Sequence, residues 1–169
     1  MSLALSLLIL RVAIGLIVAA HGSQKLFGWF GGHGFAGTSG FLASLGFRPA
    51  WFWVLLGGAG EFGGGLLLAL GLLTPLGATA IFAAMLMAVL KFHWSKGFWG
   101  AKGGYEYPLV LGLLSAVLAL VGPGSYALDT LIGLSIATPL VWIILILAAL
   151  VVIIGIATSR QPASKEVAA

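Results

Sequence analysis

Arg11 and Glu61 are the two residues whose chemistry sits least easily with their surroundings, because each interrupts a long apolar run. A lone charge at the centre of a hydrocarbon layer costs at least about 2.5–3.5 kcal/mol, so each is expected to face the inside of a helical bundle and find a partner. Counted as helix, Arg11 lies ten residues before position 21 and Glu61 ten residues after position 51. At ~1.5 Å per residue both stand about 15 Å from one membrane face, and the spacing predicts a level Arg11–Glu61 pair. Such a pair either fixes helix register or floors a ligand or proton site. Around it, Gly60 and Gly64 form a small-xxx-small step that admits a neighbouring helix closely.

A second polar group gathers where the apolar runs end. His21, Gln24 and Lys25 close the first run and Lys91 and His93 the third, while Lys96, Lys102, Tyr105, Glu106 and Tyr107 lead into the fourth. Snorkelling to headgroups is the plain explanation for the lysines. His21 and Glu106 fit it less well, since each adjoins a helix end beside other polar groups. Together they make a basic, aromatic-edged mouth above the buried pair, suited to an anionic or quinone-like ligand with a polar head and an apolar body. Arg11, Glu61, His21 and Glu106 are the candidates for proton handling and catalysis. Lys25, Gln24, Lys91, His93, Tyr105 and Tyr107 are the candidates for ligand binding.

Other motifs carry less. Gly32 to Gly37 satisfies G-x-G-x-x-G, but no strand precedes it and no βαβ unit follows. The three histidines lack H-E-x-x-H or other close ligand spacing, so no metal site is expected. His21 and His93 share a membrane side, yet nothing local supports a haem between them. Ser23, Ser95 and Ser125 lack an accompanying Asp–His arrangement.

The elements that must hold these residues follow from composition. Of 169 residues, 61% are hydrophobic and only 7% charged, with a mean hydropathy of +1.17. A soluble domain is about a quarter charged, so the solvent of this chain is a lipid bilayer. Cytosolic enzymes, nucleic-acid binders and disordered chains are excluded. With no cysteine, so are disulfides, dithiol relays, iron–sulfur clusters and thiolate zinc sites. Apolar runs cover about 3–21, 51–73, 76–94, 107–121 and 139–157, the fourth being short for a span. Pro49, Pro75, Pro108 and Pro139 stand at run starts, where a missing N–H costs nothing, and Thr74 and Thr138 are expected N-caps. Arg11 and the absence of a basic n-region argue against a cleaved signal peptide in the first run.

The predicted fold is therefore an all-α membrane protein. It has a four-helix transmembrane core, a fifth C-terminal transmembrane helix, and a short interfacial helix over 38–46, capped by Thr38, in the first connection. Residues 1–157 form the helical transmembrane domain and 158–169 a mobile polar tail. Lys25, Arg48, Lys96, Lys102, Arg160 and Lys165 all fall on one side of a five-span topology, while the other holds Asp129 and no Lys or Arg. The positive-inside rule puts the N-terminus outside and the C-terminus in the cytoplasm.

The stretch LRVAIGLIVAAHGSQKLFGWFGGHGFAGTSGFLASLGFRP resembles the opening of the DoxX family of small bacterial membrane proteins. GEFGGGLLLALGLLTPLGA is similar to its second signature, and KGFWGAKGGYEYPLVLGLLSAVLALVGPGSYALD to its third. The likeness covers about residues 5–130 and implies a four-helix core in a bacterial inner membrane, with Arg11, His21, Lys25, Glu61 and Glu106 at the polar motif positions. Ala127-Leu128-Asp129 stands where family loops end in a Ser-Leu-Asp-like sequence. Relatives of a membrane subunit of thiosulfate:quinone oxidoreductase give the family its name. The resemblance thus implies a quinone-interacting subunit working with a redox partner, since the chain has no electron carrier of its own. A small-solute or anion transporter and a non-catalytic scaffold are the competing readings. Glycine-rich faces also admit a homodimer.

Overall fold

The computed structural model describes residues 3–159, so the polar tail expected beyond them lies outside the described residues. Among those residues the chain is helical throughout, with no strand. The main helices are α1 (Leu3–Leu26), α2 (Gly34–Ser44), α3 (Ala50–Leu70), α4 (Thr74–Met87), α5 (Glu106–Val121), α6 (Leu128–Leu131) and α7 (Thr138–Thr158). A π-helical turn, Ala88–His93, and a 3-10 turn, Trp94–Lys96, extend α4. In hydrocarbon a helix satisfies every interior backbone polar group within its own segment, which is why runs this apolar take no other form.

Leu3–Leu26, Ala50–Leu70, Thr74–Lys96 and Thr138–Thr158 are long and apolar enough to cross a membrane. The protein is multi-pass. At 16 residues α5 is shorter, yet Leu111, Leu118 and Ala119 lie in the same buried core as Ile14, Val18, Leu68, Ile81 and Leu145. Large apolar side chains elsewhere point outward, as Ile143, Ile146, Leu147 and Leu150 do on α7.

Glycine sets how closely the helices meet. A Cβ on Gly15 would stand 2.5 Å from the Gly65 carbonyl oxygen, and one on Gly22 2.3 Å from the Phe62 backbone nitrogen, so α1 and α3 pack backbone against backbone. On another face of α3, a Cβ on Gly64 would meet the Gly77 carbonyl oxygen of α4 at 2.9 Å. The predicted small-xxx-small step is therefore used, chiefly through Gly64.

Two capping expectations are corrected. Thr74 and Thr138 make no side-chain cap; α4 begins after Leu73, and its cap comes from a distant loop, described below. Thr38 sits in the second turn of α2, which begins at Gly34, and its hydroxyl donates to the Gly34 carbonyl at 2.8 Å. The four run-starting prolines all fall at helix starts, as expected.

Candidate functional site

Arg11 and Glu61 do not pair. Gly15 lies between Gly65 and Ala69, and Gly22 between Gly58 and Phe62. That antiparallel register puts Arg11 opposite Gly71 and Glu61 opposite His21. The two charges are thus ten helical residues apart, about 15 Å along the axis. The equal-depth count failed because it made positions 21 and 51 level, whereas the first turns of α3 run past the end of α1. Each charge has its own partner at its own end of the bundle.

At the α6 end, Arg11 is fully buried and donates through Nη2 to the Tyr126 carbonyl at 2.8 Å and through Nη1 to the Leu68 carbonyl at 3.4 Å. Gly71 closes α3 in a left-handed conformation (φ 67°), with Leu72 N–H returning to the Leu67 carbonyl and Gly71 N–H to that of Leu68. Only glycine fits there, since a Cβ would overlap the Arg11 guanidinium. Asp129, 2% exposed, accepts from the backbone N–H groups of Leu73 at 2.7 Å and Thr74 at 2.8 Å, and its own N–H donates to the Gly71 carbonyl. It is the missing cap of α4 and the negative charge that acts on Arg11. Sequence reading left Asp129 in a loop; the signal was that this loop and the Thr74-Pro75 turn fall on the same side.

At the α2 end, Lys25 Nζ forms a salt bridge with Glu61 Oε1. The Glu61 side chain is only 1% exposed and that of Lys25 38%, so the pair joins a buried carboxylate to a partly accessible ammonium. The other carboxylate oxygen, Oε2, is buried without a hydrogen-bond partner among the described residues. A buried oxygen left unpaired costs free energy.

Glu61 is also among the residues lining a cavity of about 810 Å³ whose walls run from α1 to α7. Its polar wall holds His21, Lys25, Glu61, His93, Lys96 and Tyr107, and its apolar wall includes Phe41, Phe47, Trp53, Val54, Phe92 and Leu111. His21 Nδ1 donates to Gln24 Oε1 at 3.2 Å, which leaves Nε2 as an acceptor 3.5 Å from the Tyr107 hydroxyl. His93 Nδ1 donates to the Gly103 carbonyl at 2.7 Å. The π-helical turn adds a residue to the ordinary helical repeat and so brings Phe92 and His93 to this wall. Turns of that kind recur at functional sites. The aromatic wall and the π turn carry no sequence signal beyond the run of aromatics in the first connection.

The other expected residues lie outside the wall. Gln24 braces His21 and donates through Nε2 to the Phe30 carbonyl. Glu106 accepts from Gly100 N–H at 2.8 Å and so organises the loop before α5. Lys91 reaches the Ser159 hydroxyl at 2.8 Å, passing 5.6 Å from the centre of the Phe47 ring. Tyr105 stacks on Trp94, with ring centres 5.0 Å apart. Among the described residues no cluster of three His, Asp or Glu is placed to hold a metal.

No curated protein and no solved structure matches the chain. A family model described as DoxX matches residues 6–94. That span holds the whole α1–α3 contact, both members of the Lys25–Glu61 pair and His93, and ends before Tyr107 and Asp129. The match covers just over half the sequence and takes in α1 to α4, which carry most of the cavity wall: the chain belongs to the DoxX family.

Proposed function

We propose that the protein is a quinone-interacting subunit of a redox assembly in a bacterial inner membrane, with the cavity at the α2 end holding the quinone head. The observation that carries this reading is the Lys25–Glu61 ion pair in the polar wall of a chamber whose opposite wall is aromatic and apolar. The volume falls within the range of small-molecule sites, roughly 300–1,000 Å³. Lys25 is a charged donor for a quinone oxygen, the Tyr107 hydroxyl is a second donor, and Glu61 holds the Lys25 ammonium at the wall. Reduction of a quinone consumes two electrons and two protons. A partner subunit's redox centre supplies the electrons, and the Lys25–Glu61 and His21–Tyr107 groups handle the protons. Arg11 and Glu106 have positioning roles outside the chamber.

In this reading α5 crosses the bilayer with its four longer neighbours, residues 1–157 form one transmembrane domain, and α2 lies in the interface. The N-terminus is then outside and the basic α2 end faces the cytoplasm. The test is binding of a tail-less dimethoxy-benzoquinone to purified protein in nanodiscs. Lys25→Met, which removes the charged donor, is expected to weaken it roughly tenfold or more, as loss of one charge-assisted hydrogen bond does. No binding, or equal affinity in both proteins, would overturn the reading.

A further inference from the structure

Gln24 stands outside the chamber wall, yet its side chain is held at both ends. Its Nε2 donates to the Phe30 carbonyl at 3.3 Å, and its Oε1 lies 3.2 Å from His21 Nδ1. The turn that supplies the carbonyl is built against this residue. Phe30 adopts a left-handed backbone (φ 51°) that a phenylalanine rarely takes, between Gly28 (φ 74°) and Gly31 (φ 75°). A Cβ on Gly32 would lie 2.4 Å from the Gln24 carbonyl oxygen, so the turn folds directly onto the end of α1. The rings of Phe27 and Trp29 pack against Phe62 of α3, with centres 5.2 and 6.3 Å away, and keep it there. A carbonyl accepts and never donates, so the Gln24 amide turns its NH2 to Phe30 and its oxygen to His21. Nδ1 therefore carries the proton of the neutral imidazole and Nε2 is left as an acceptor. Tyr107 meets the imidazole edge-on, with ring centres 6.0 Å apart, and its hydroxyl is the donor to Nε2.

We infer that Gln24 is a positioning residue: by fixing the His21 tautomer it makes the hydrogen-bond polarity of Tyr107 depend on the charge of His21. While His21 is neutral, the Tyr107 proton goes to Nε2, and a ligand meets only oxygen lone pairs. When His21 is protonated, Nε2–H donates to the Tyr107 oxygen and the hydroxyl proton turns to the ligand. His21 and Tyr107 both line the chamber, so the switch acts on whatever head group lies there. A head that only accepts, such as a carbonyl, is favoured with His21 charged. A head that donates, such as a phenol, is favoured with His21 neutral. This preference rests on the head-binding reading above, whereas the tautomer stands without it. Other charged and titratable groups lie close by. Lys25 of α1, Glu61 of α3, and His93 and Lys96 beyond α4 share the chamber wall, and Glu106 adjoins Tyr107 on α5. Their titration reaches the same ligand, so the test includes a variant that removes the Tyr107 hydroxyl alone.

The experiment has two readouts in nanodiscs. The first is nitrogen NMR of histidine-labelled protein at about pH 8, where histidines are ordinarily neutral, with His21 assigned through His21→Gln. The expected result is the Nδ1–H tautomer in the unaltered protein and in Gln24→Glu, whose carboxylate still accepts from Nδ1. In Gln24→Leu the ring should revert to the Nε2–H form that free histidine favours in water. An Nε2–H ring in the unaltered protein, or a tautomer indifferent to Gln24→Leu, would overturn the inference. The second readout is the Kd of the tail-less dimethoxy-benzoquinone, whose carbonyls only accept, between about pH 8 and about pH 5. Binding should tighten roughly fivefold toward low pH, the worth of one hydrogen bond. Gln24→Leu should remove that step by tightening binding at high pH, the opposite of what structural damage would do. Tyr107→Phe should also remove the step, and Gln24→Glu should keep it. A step that persists in Tyr107→Phe belongs to the neighbouring charges and would overturn the switch. Absence of any probe binding would remove the head-binding reading and the ligand preference, while the tautomer still decides the role of Gln24.

Discussion

Asp129→Ala is the sharpest test of how the bundle is held at the α6 end. The substitution removes both acceptors for Leu73 N–H and Thr74 N–H, at 2.7 and 2.8 Å, and the negative charge that acts on Arg11. An exposed N-cap costs about 1 kcal/mol because water replaces the lost acceptor. Here Asp129 is 2% exposed and Thr74 fully buried, so water has little access. The relevant scale is then a hydrogen bond to a charged group, about 1.5–3 kcal/mol each, and two of them give about 3–6 kcal/mol.

For a chain of this length that loss lowers the unfolding midpoint by at least roughly 6–12 °C. The check is equilibrium unfolding in mild detergent, followed by circular dichroism, on Asp129→Ala, Arg11→Met and the double variant. Arg11 binds two carbonyls and Asp129 two N–H groups, but both grip the Leu68–Thr74 turn. The double variant should therefore fall short of the summed losses by about 1 kcal/mol or more. A loss below about 1 kcal/mol for Asp129→Ala, or strict additivity, would refute the idea of a shared buried latch.

Two further outcomes follow from the packing and the ion pair. Gly22→Leu should cost at least about 2 kcal/mol or prevent folding, because the new Cβ would lie 2.3 Å from a backbone nitrogen of α3. Gly40→Ala, on a helix face open beyond 4 Å, should instead gain up to about 1 kcal/mol. Both are read from the unfolding midpoint. Lys25→Met leaves the Glu61 carboxylate buried and unpaired and should cost about 1–3 kcal/mol, less than a fully enclosed pair because Lys25 is partly exposed. Adding Glu61→Gln should restore most of that loss, and the lack of any recovery would show that the ion pair is not what the first change disturbed.

What was legible in the sequence is what composition and local chemistry determine. Apolar runs gave the helices and the prolines their starts, and the cost of buried charge marked Arg11 and Glu61 as partnered. Their partners were not legible, because pairing depends on how far one helix slides along another. That slide is fixed by Gly15 and Gly22 against Gly65, Gly58 and Phe62, and a shift of a few residues would have changed every neighbour. Lys25 was marked as a mouth residue, yet its long stem carries its charge inward to Glu61. The cap of α4 was hidden for a similar reason: a threonine before a proline suggests a local cap, and a carboxylate 55 residues away supplies it instead.

The glycines of α3 show why counting small residues is not enough. Gly57-Gly58-Ala59-Gly60-Glu61-Phe62-Gly63-Gly64-Gly65 looks uniform in sequence, but a helix distributes it over three faces. Gly58 and Gly65 face α1, Gly64 faces α4, and Gly57, Gly60 and Gly63 face unfilled space. On the first two faces, absence of a side chain lets backbones touch and is offset by dispersion contact along the whole approach. On the third face nothing in the chain makes up for the helix propensity lost, about 1 kcal/mol for each glycine relative to alanine. Packing therefore explains half of this segment and leaves the other half unexplained. Gly57 and Gly60 line the same chamber as Glu61, so the bare face of α3 widens the space beside the Lys25–Glu61 pair instead of closing it.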